Sequence, residues 1–342
     1  MNTICNICGG ELSLTEDNRS SVCPVCNTVH HPISGESEAL ARALARAAEY
    51  RLAHKYSLAK AEYGRIIEEY PTSPEAHLGM LLSHYEVELA VDKERGAAIL
   101  TCRKIRNKEV FENENYLAAL ANASDEERRA YAGIAEKIAD QQKALKARYK
   151  PGRTLTLGSY HQHSADYKES IEWIILARKH NKLLLISKYL LDRKPYEEYR
   201  GTATWGTSSV RGWLNSTFLN EAFSEEEQRR IASAEIITKA PRGYPSVGGE
   251  PTNDKIFFLS IEEAHKYFPS ADSKRCKPTP YTVLRGAHKD SRTGYGWWWL
   301  RSPGCSNSSA AHVRCDGGVG FVGALGAIGG AIRPALWLTL EA

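Results

Sequence analysis

The chain is short of three things, and each shortage removes a class of function. No segment of its 342 residues reaches the 18 or so uninterrupted apolar residues that a membrane-spanning helix requires. The N-terminus, Met1-Asn2-Thr3-Ile4-Cys5, has no basic stretch leading into an apolar run, so a secretory signal is not expected and the protein is read as cytoplasmic, without a membrane partner. Charge of one sign is also scarce. Lys and Arg number 45 against 41 Asp and Glu, and the resulting +4 gives no electrostatic ground for a nucleic-acid partner. A phosphate-binding loop is missing as well: Gly317-Gly318-Val319-Gly320 lacks the G-x-x-x-x-G-K-[ST] lysine and a helical pattern after it.

What is present is a globular composition, 42% hydrophobic and 25% charged, long enough for two domains and a small third module. Four of the eight cysteines, Cys5, Cys8, Cys23 and Cys26, form two C-x-x-C pairs fourteen residues apart. That spacing can bring four thiolates to the corners of a tetrahedron, which predicts a structural Zn2+ site in a ribbon over residues 1–33. So short a segment buries too little apolar surface to fold alone, so metal binding would supply most of its folding free energy. Only one Arg and no Lys lie between the first and last of these cysteines, which points to a scaffold and away from nucleic acid.

From Ser37 to Tyr149 the pattern turns to Ala-, Leu- and Glu-rich stretches with apolar residues three and four apart, predicting packed amphipathic helices over 37–149. Tyr50, Ala59, Tyr63, Ile66 and Pro71, with Ala47 at the helix crossing, match the spacing of one tetratricopeptide-like helix hairpin. Ser124 to Glu127 form a capping box that opens a final helix. The order of ribbon, Tyr-rich repeat, Glu75-Ala76-His77-Leu78-Gly79 and Asn115-Tyr116-Leu117-Ala118-Ala119-Leu120 resembles a module that precedes effector domains such as TIR domains in bacterial proteins. That resemblance covers about 150 residues and implies an adaptor with a protein partner, in a bacterial or phage setting.

Beyond Pro151-Gly152 the sequence shifts to short β-prone runs, aromatics and Gly-rich turns, so an α+β domain is expected over 152–342. Ile171–Leu176 and Leu183–Ser187 read as a hairpin, Ser209–Asn215 and Ser224–Ala232 as helices, and Asp254–Leu259 as a strand ahead of a helix capped by Ser260 and Glu263. Trp173, Arg211-x-Trp213-Leu214-Asn215, Phe257-Phe258-Leu259-Ser260, Trp298-Trp299-Leu300-Arg301-Ser302-Pro303-Gly304 and Arg333-Pro334-Ala335-Leu336 together resemble a bacterial family with a C-type-lectin-like fold. Some members of it are variable proteins of diversity-generating retroelements. Adenine-directed mutagenesis of their Asn-type codons cannot produce Lys, Glu, Gln, Met or Trp. Residues 302–336 contain none of these five, where the composition of the whole chain predicts about six. A tightly turned, Gly-rich β region would also lack long side chains.

The resemblance implies a multi-domain protein: zinc ribbon, all-α tetratricopeptide-like module, and a C-type-lectin-like domain that binds a protein or other macromolecular target without catalysis. In it Trp298, Trp299, Arg301, Pro303, Val313, Gly317, Gly330, Arg333 and Pro334 would hold the backbone. Asn307, Ser309, His312, Arg314, Val319, Phe321, Leu325 and Ile328 would face the ligand, although Phe321, Leu325 and Ile328 are also candidate core residues. No Glu-Pro-Asn or Trp-Asn-Asp triplet for calcium-dependent sugar binding is present. Two other functions compete. An enzyme similar in fold to formylglycine-generating oxidases would need reactive or copper-binding thiols among Cys276, Cys305 and Cys315, and a self-assembling protein would use the C-terminal face to join copies of itself.

Overall fold

The structure, a computed structural model, describes residues 5–14, 21–24, 26, 28–30, 37–91, 98–199, 201–202, 204–326 and 328–340. It divides into two compact units, Met1–Arg148 and Tyr149–Leu340. No helix among the described residues is long and apolar enough to cross a membrane.

The first unit begins with three two-residue strands, β1 (Ser13–Leu14), β2 (Ser21–Val22) and β3 (Val29–His30), paired antiparallel in that order. Helices α1 (Ser37–Leu52), α2 (Tyr56–Glu69) and α3 (Pro74–Tyr85) follow. Ala47 and Ala59 are fully buried, and these methyl-sized side chains let α1 and α2 approach closely. Tyr63 of α2 lies over Gly79 of α3, where a Cβ would stand 2.2 Å from the ring, so only glycine admits that tyrosine. Ser73 caps α3 by accepting from the Ala76 amide, with Pro74 at the first helical position.

The helical pattern then breaks, contrary to the all-α expectation. Glu86 takes a left-handed conformation at the end of α3, and β4 (Val87–Val91) pairs antiparallel with β5 (Ala98–Cys102). Burial alternates along β5, with Leu100 and Cys102 inside and Ile99 exposed, which is strand periodicity. Helices α4 (Glu114–Asn122), capped by Asn113, and α5 (Asp125–Arg148), opened by Ser124 and Glu127, complete the unit. Nor does the ribbon stand apart from the helices. Cys5, Ile7 and Cys23 share one apolar core with Leu78, Leu82, Tyr131 and Ile138, and buried Arg51 of α1 donates to the Asn6 and Ile7 carbonyls at 2.8 and 2.6 Å. A segment too small to own a core has borrowed one.

The second unit holds two main sheets. Strands β6 (Thr154–Tyr160), β7 (Glu169–Lys179), β8 (Lys182–Ser187) and β9 (Asp192–Pro195) come first. The β7–β8 hairpin closes through His180 and Asn181, with His180 at φ 54° in the left-handed region that such two-residue turns require. Helix α6 (Ser209–Trp213) runs through a π turn into α7 (Leu219–Ala222), and α8 (Glu225–Arg230) follows its capping box. The chain leaves α8 earlier than expected, because Ile231 and Ala232 form β10 (Ile231–Ala232) against the C-terminal strand.

Next come β11 (Ala234–Ile236), β12 (Thr252–Asp254) and β13 (Ile256–Phe257). Lys255 divides the single strand expected over 254–259, just after Asp254. The Asp254 carboxylate turns inward to accept from Trp205 Nε1 and Thr252 Oγ1, at 2.8 and 2.7 Å, and from Arg211 Nε at 2.7 Å. Short helices α9 (Ile261–Tyr267), α10 (Ala271–Lys274) and α11 (Pro280–Leu284) lead to β14 (Trp298–Pro303), β15 (Ser309–Val313), β16 (Val319–Leu325), β17 (Gly329–Ile332) and β18 (Ala335–Thr339). One sheet has the order β10-β18-β8-β7-β6, with β13 also on β18, and the other β16-β15-β14-β17-β9. Buried Trp173, Trp205, Trp298, Trp299, Phe257 and Phe258 fill the core.

Candidate functional site

Two places carry the residues singled out by sequence. In the first unit the ligand atoms of Cys5, Cys8, Cys23 and Cys26 all lie within 4.8 Å of one another, with Cys5 and Cys26 sulfurs 3.6 Å apart and Cys8 and Cys23 sulfurs 3.2 Å apart. Metal–sulfur bonds of about 2.3 Å in a tetrahedron place sulfurs about 3.8 Å apart, so the donor set can hold a metal ion. Backbone amides support it: Ile7 donates to Cys5 Sγ at 3.3 Å and Gly10 to Cys8 Sγ at 3.4 Å. Negative charge is shared unequally. Hydrogen bonds from Cys5, Cys8 and Thr28 hold the Cys26 thiol far below its ordinary range, whereas the bond to Cys26, the bond to Cys8 and burial push Cys5 up. A cation at the centre would remove that conflict.

In the second unit the expected frame is buried. Trp298 and Trp299 of β14 and Val313, opposite Trp298 on β15, have no exposed surface, and β14 is buried along its whole length. The Trp298 and Trp299 indoles donate to the Lys274 and Lys194 carbonyls at 3.2 and 3.0 Å. Arg333 lies between the faces of Trp298 and Phe268, 4.8 and 5.0 Å from the ring centres, and donates to the Ser187 and Lys274 carbonyls. At Gly330 a Cβ would stand 2.4 Å from Trp299 Nε1, so this glycine is set by the tryptophan beside it.

The eight residues expected to face a ligand do not behave alike. Arg314 is exposed and paired with Asp316, Ile328 is 47% exposed, and Val319 is half-buried at the start of β16. His312 is half-buried with its ring against the edges of Trp297 and Trp299, its Nδ1 without a partner. Burial, aided by Arg314, lowers its pKa and favours the neutral imidazole. Ser309 corrects the expectation: it is buried, and its hydroxyl donates to the Ser306 carbonyl to close the turn between β14 and β15. Asn307 serves structure too, since its Oδ1 accepts from the Val247 amide at 2.9 Å. The side chains of Phe321 and Leu325 lie outside the described part of the structure.

Cys305 and Cys315 occupy the turns at opposite ends of β15, which at five residues is about 16 Å long, so they cannot pair. Cys315 Sγ is 3.3 Å from His288 Nδ1, and its pKa is raised, chiefly by burial. Cys276 is buried, donates to the Lys188 carbonyl, and is also pushed up by burial. Sequence reasoning missed the long connection between β11 and β12. Ser246 Oγ ties it to the Gly304 carbonyl at 2.7 Å and Val247 ties it to Asn307, while a cleft opens between residues 237–244, the start of α9 and β14. Partners 58 and 60 positions apart leave no local signal.

Residues 180–340 match a family described as a domain of unknown function, DUF6273. The match runs from the turn of the β7–β8 hairpin through β18 and so takes in the frame and the whole 305–328 segment. No curated protein and no solved structure matches the chain.

Proposed function

We propose that the protein is a non-enzymatic recognition protein of the cytoplasm. Its second unit is a C-type-lectin-like domain that presents a diversified binding surface within residues 305–328, of the kind found in retroelement variable proteins. Its first unit is an adaptor built on a structural Zn2+ held by Cys5, Cys8, Cys23 and Cys26. The observation that carries the reading is the contrast between β14, buried at every position, and Arg314, Val319 and Ile328, which reach solvent from turns and strand ends that β14 supports. A surface can vary freely only where its side chains do not hold the fold. The separation of Cys305 from Cys315 along β15 weighs against a thiol-pair oxidase, which needs its sulfurs together. For the metal, an all-cysteine tetrahedral set suits Zn2+, and thiolates stay reduced in the cytoplasm.

Sequencing this gene across a population of its source cells tests the surface. Substitutions confined to 305–328, at adenines of an adjacent near-copy, are expected; an unvaried segment with no near-copy refutes diversification. Self-assembly is the second reading, favoured by β16, an edge strand of seven residues without one charge or proline. Sedimentation that is independent of concentration would dismiss it.

A further inference from the structure

We propose that the cleft beside β14 is a binding site for an organic anion whose charge is carried on a flat apolar body. The cleft has a volume of about 490 Å³, within the range of small-ligand sites. Pro241 and Ile261 give its walls an apolar part. At its mouth Ile237 and Tyr244 are 55% and 40% exposed, apolar surface that a bound ring would cover.

Polar groups line it as well. Arg301, 4% exposed, forks its guanidinium onto Glu263 and donates to the Phe258 and Ile237 carbonyls, while its Nε has no partner. Ser302 Oγ accepts from the Ile261 amide and Ser260 Oγ from the Glu263 amide, which leaves each hydroxyl proton for another acceptor.

Charge decides the sign of the ligand. Arg301 is matched by Glu263, and Lys239 stands 4.0 Å from Glu262. Arg242 is exposed and has no partner among the described residues, so the cleft carries one surplus positive charge. An anion gains a charge-assisted hydrogen bond there, and a cation meets repulsion. The cleft is built from residues outside 305–328, so this inference stands or falls separately from the diversified surface.

The test uses the full, metal-loaded chain and anilinonaphthalene sulfonate, a fluorescent aromatic anion. One site per chain is expected. Arg242→Ala should weaken binding about tenfold, Arg242→Lys should retain most of it, and Tyr244→Ala should weaken it severalfold. Both residues are exposed, so unchanged circular dichroism and Tm would show that the variants fold. Displacement by phenylacetate supports a small acid as the source, and displacement by acetyl-Glu-Phe-amide supports a peptide carboxylate. Unaltered affinity in both alanine variants, displacement by neither acid, or competition by phenethylammonium equal to that by phenylacetate would overturn the proposal.

Discussion

The cysteine cluster of the first unit and β14 of the second are both buried, but they are fixed by different means. Around the cysteines little apolar side chain is available: Ile7 alone among residues 5–10 is a buried aliphatic, and the segment leans on α3, α5 and Arg51. Around β14 large side chains interlock, with Trp298, Trp299, Phe258 and the stacked Arg333 filling space and each indole and guanidinium finding a carbonyl. With the proposed Zn2+ in place, the first arrangement depends on an ion that can leave, the second on packing that cannot. Sensitivity to chelation should therefore belong to one unit, and tolerance of surface change to the other.

Removing the metal should break the comparison most visibly. With one Zn2+ per chain, a chelator or Cys23→Ser should abolish amide-exchange protection in β1, β2 and β3 and reduce it in α3 and α5, because structural zinc supplies on the order of 10 kcal/mol in small sites. Protection in β14 and β18 should not change, and a parallel loss there would refute the division. Next in size, Trp299→Ala should cost about 3–5 kcal/mol and lower the Tm of the second unit by about 10 °C. Gly330→Ala drives a methyl into Trp299 and Trp297, so it should cost about 1–3 kcal/mol. By contrast Arg314→Ala and Ile328→Ser should stay within about 0.5 kcal/mol in denaturant titrations. If either surface change cost as much as Gly330→Ala, residues 305–328 could not be a freely variable face.

The features legible in the sequence are those encoded over a few residues. Two C-x-x-C pairs bring four sulfurs together, the capping boxes at Ser224 and Ser260 open helices, and the β7–β8 hairpin turns at a two-residue loop. What escaped depends on pairing and packing that no short motif records. The β4–β5 hairpin is short, and its alternation is submerged in a helix-rich stretch. Ser309 is as small and polar as its exposed neighbour Ser308, and what separates them is that β15 begins at Ser309, paired there with Leu325 of β16. The cleft depends on Arg301 meeting Glu263 across 38 residues, and sequence periodicity carries no trace of such a meeting.

A pair of opposed groups within α3, whose net effect on the intact chain is close to zero, sharpens the contrast from the other side. Burial, with Glu127 nearby, pushes the Glu75 carboxyl up to about 7, while burial and then Arg106 lower His84 to about 4. Glu75 holds its proton in the folded state and loses it in the unfolded state from about pH 4.5 upward, so its stabilisation fades as pH rises through 7. His84 does the reverse: the unfolded chain protonates near pH 6.5 and the folded one only near 4, so stability is lost as pH falls across that interval. Between about pH 4.5 and 6.5 the two slopes oppose each other, and these groups together leave the stability of the first unit nearly flat. Glu75→Gln should unmask a stability that rises with pH, and His84→Asn one that falls with it. Denaturant midpoints at pH 4.5, 5.5 and 6.5 would read both slopes; identical profiles for the two variants would mean that neither group is held as α3 places it.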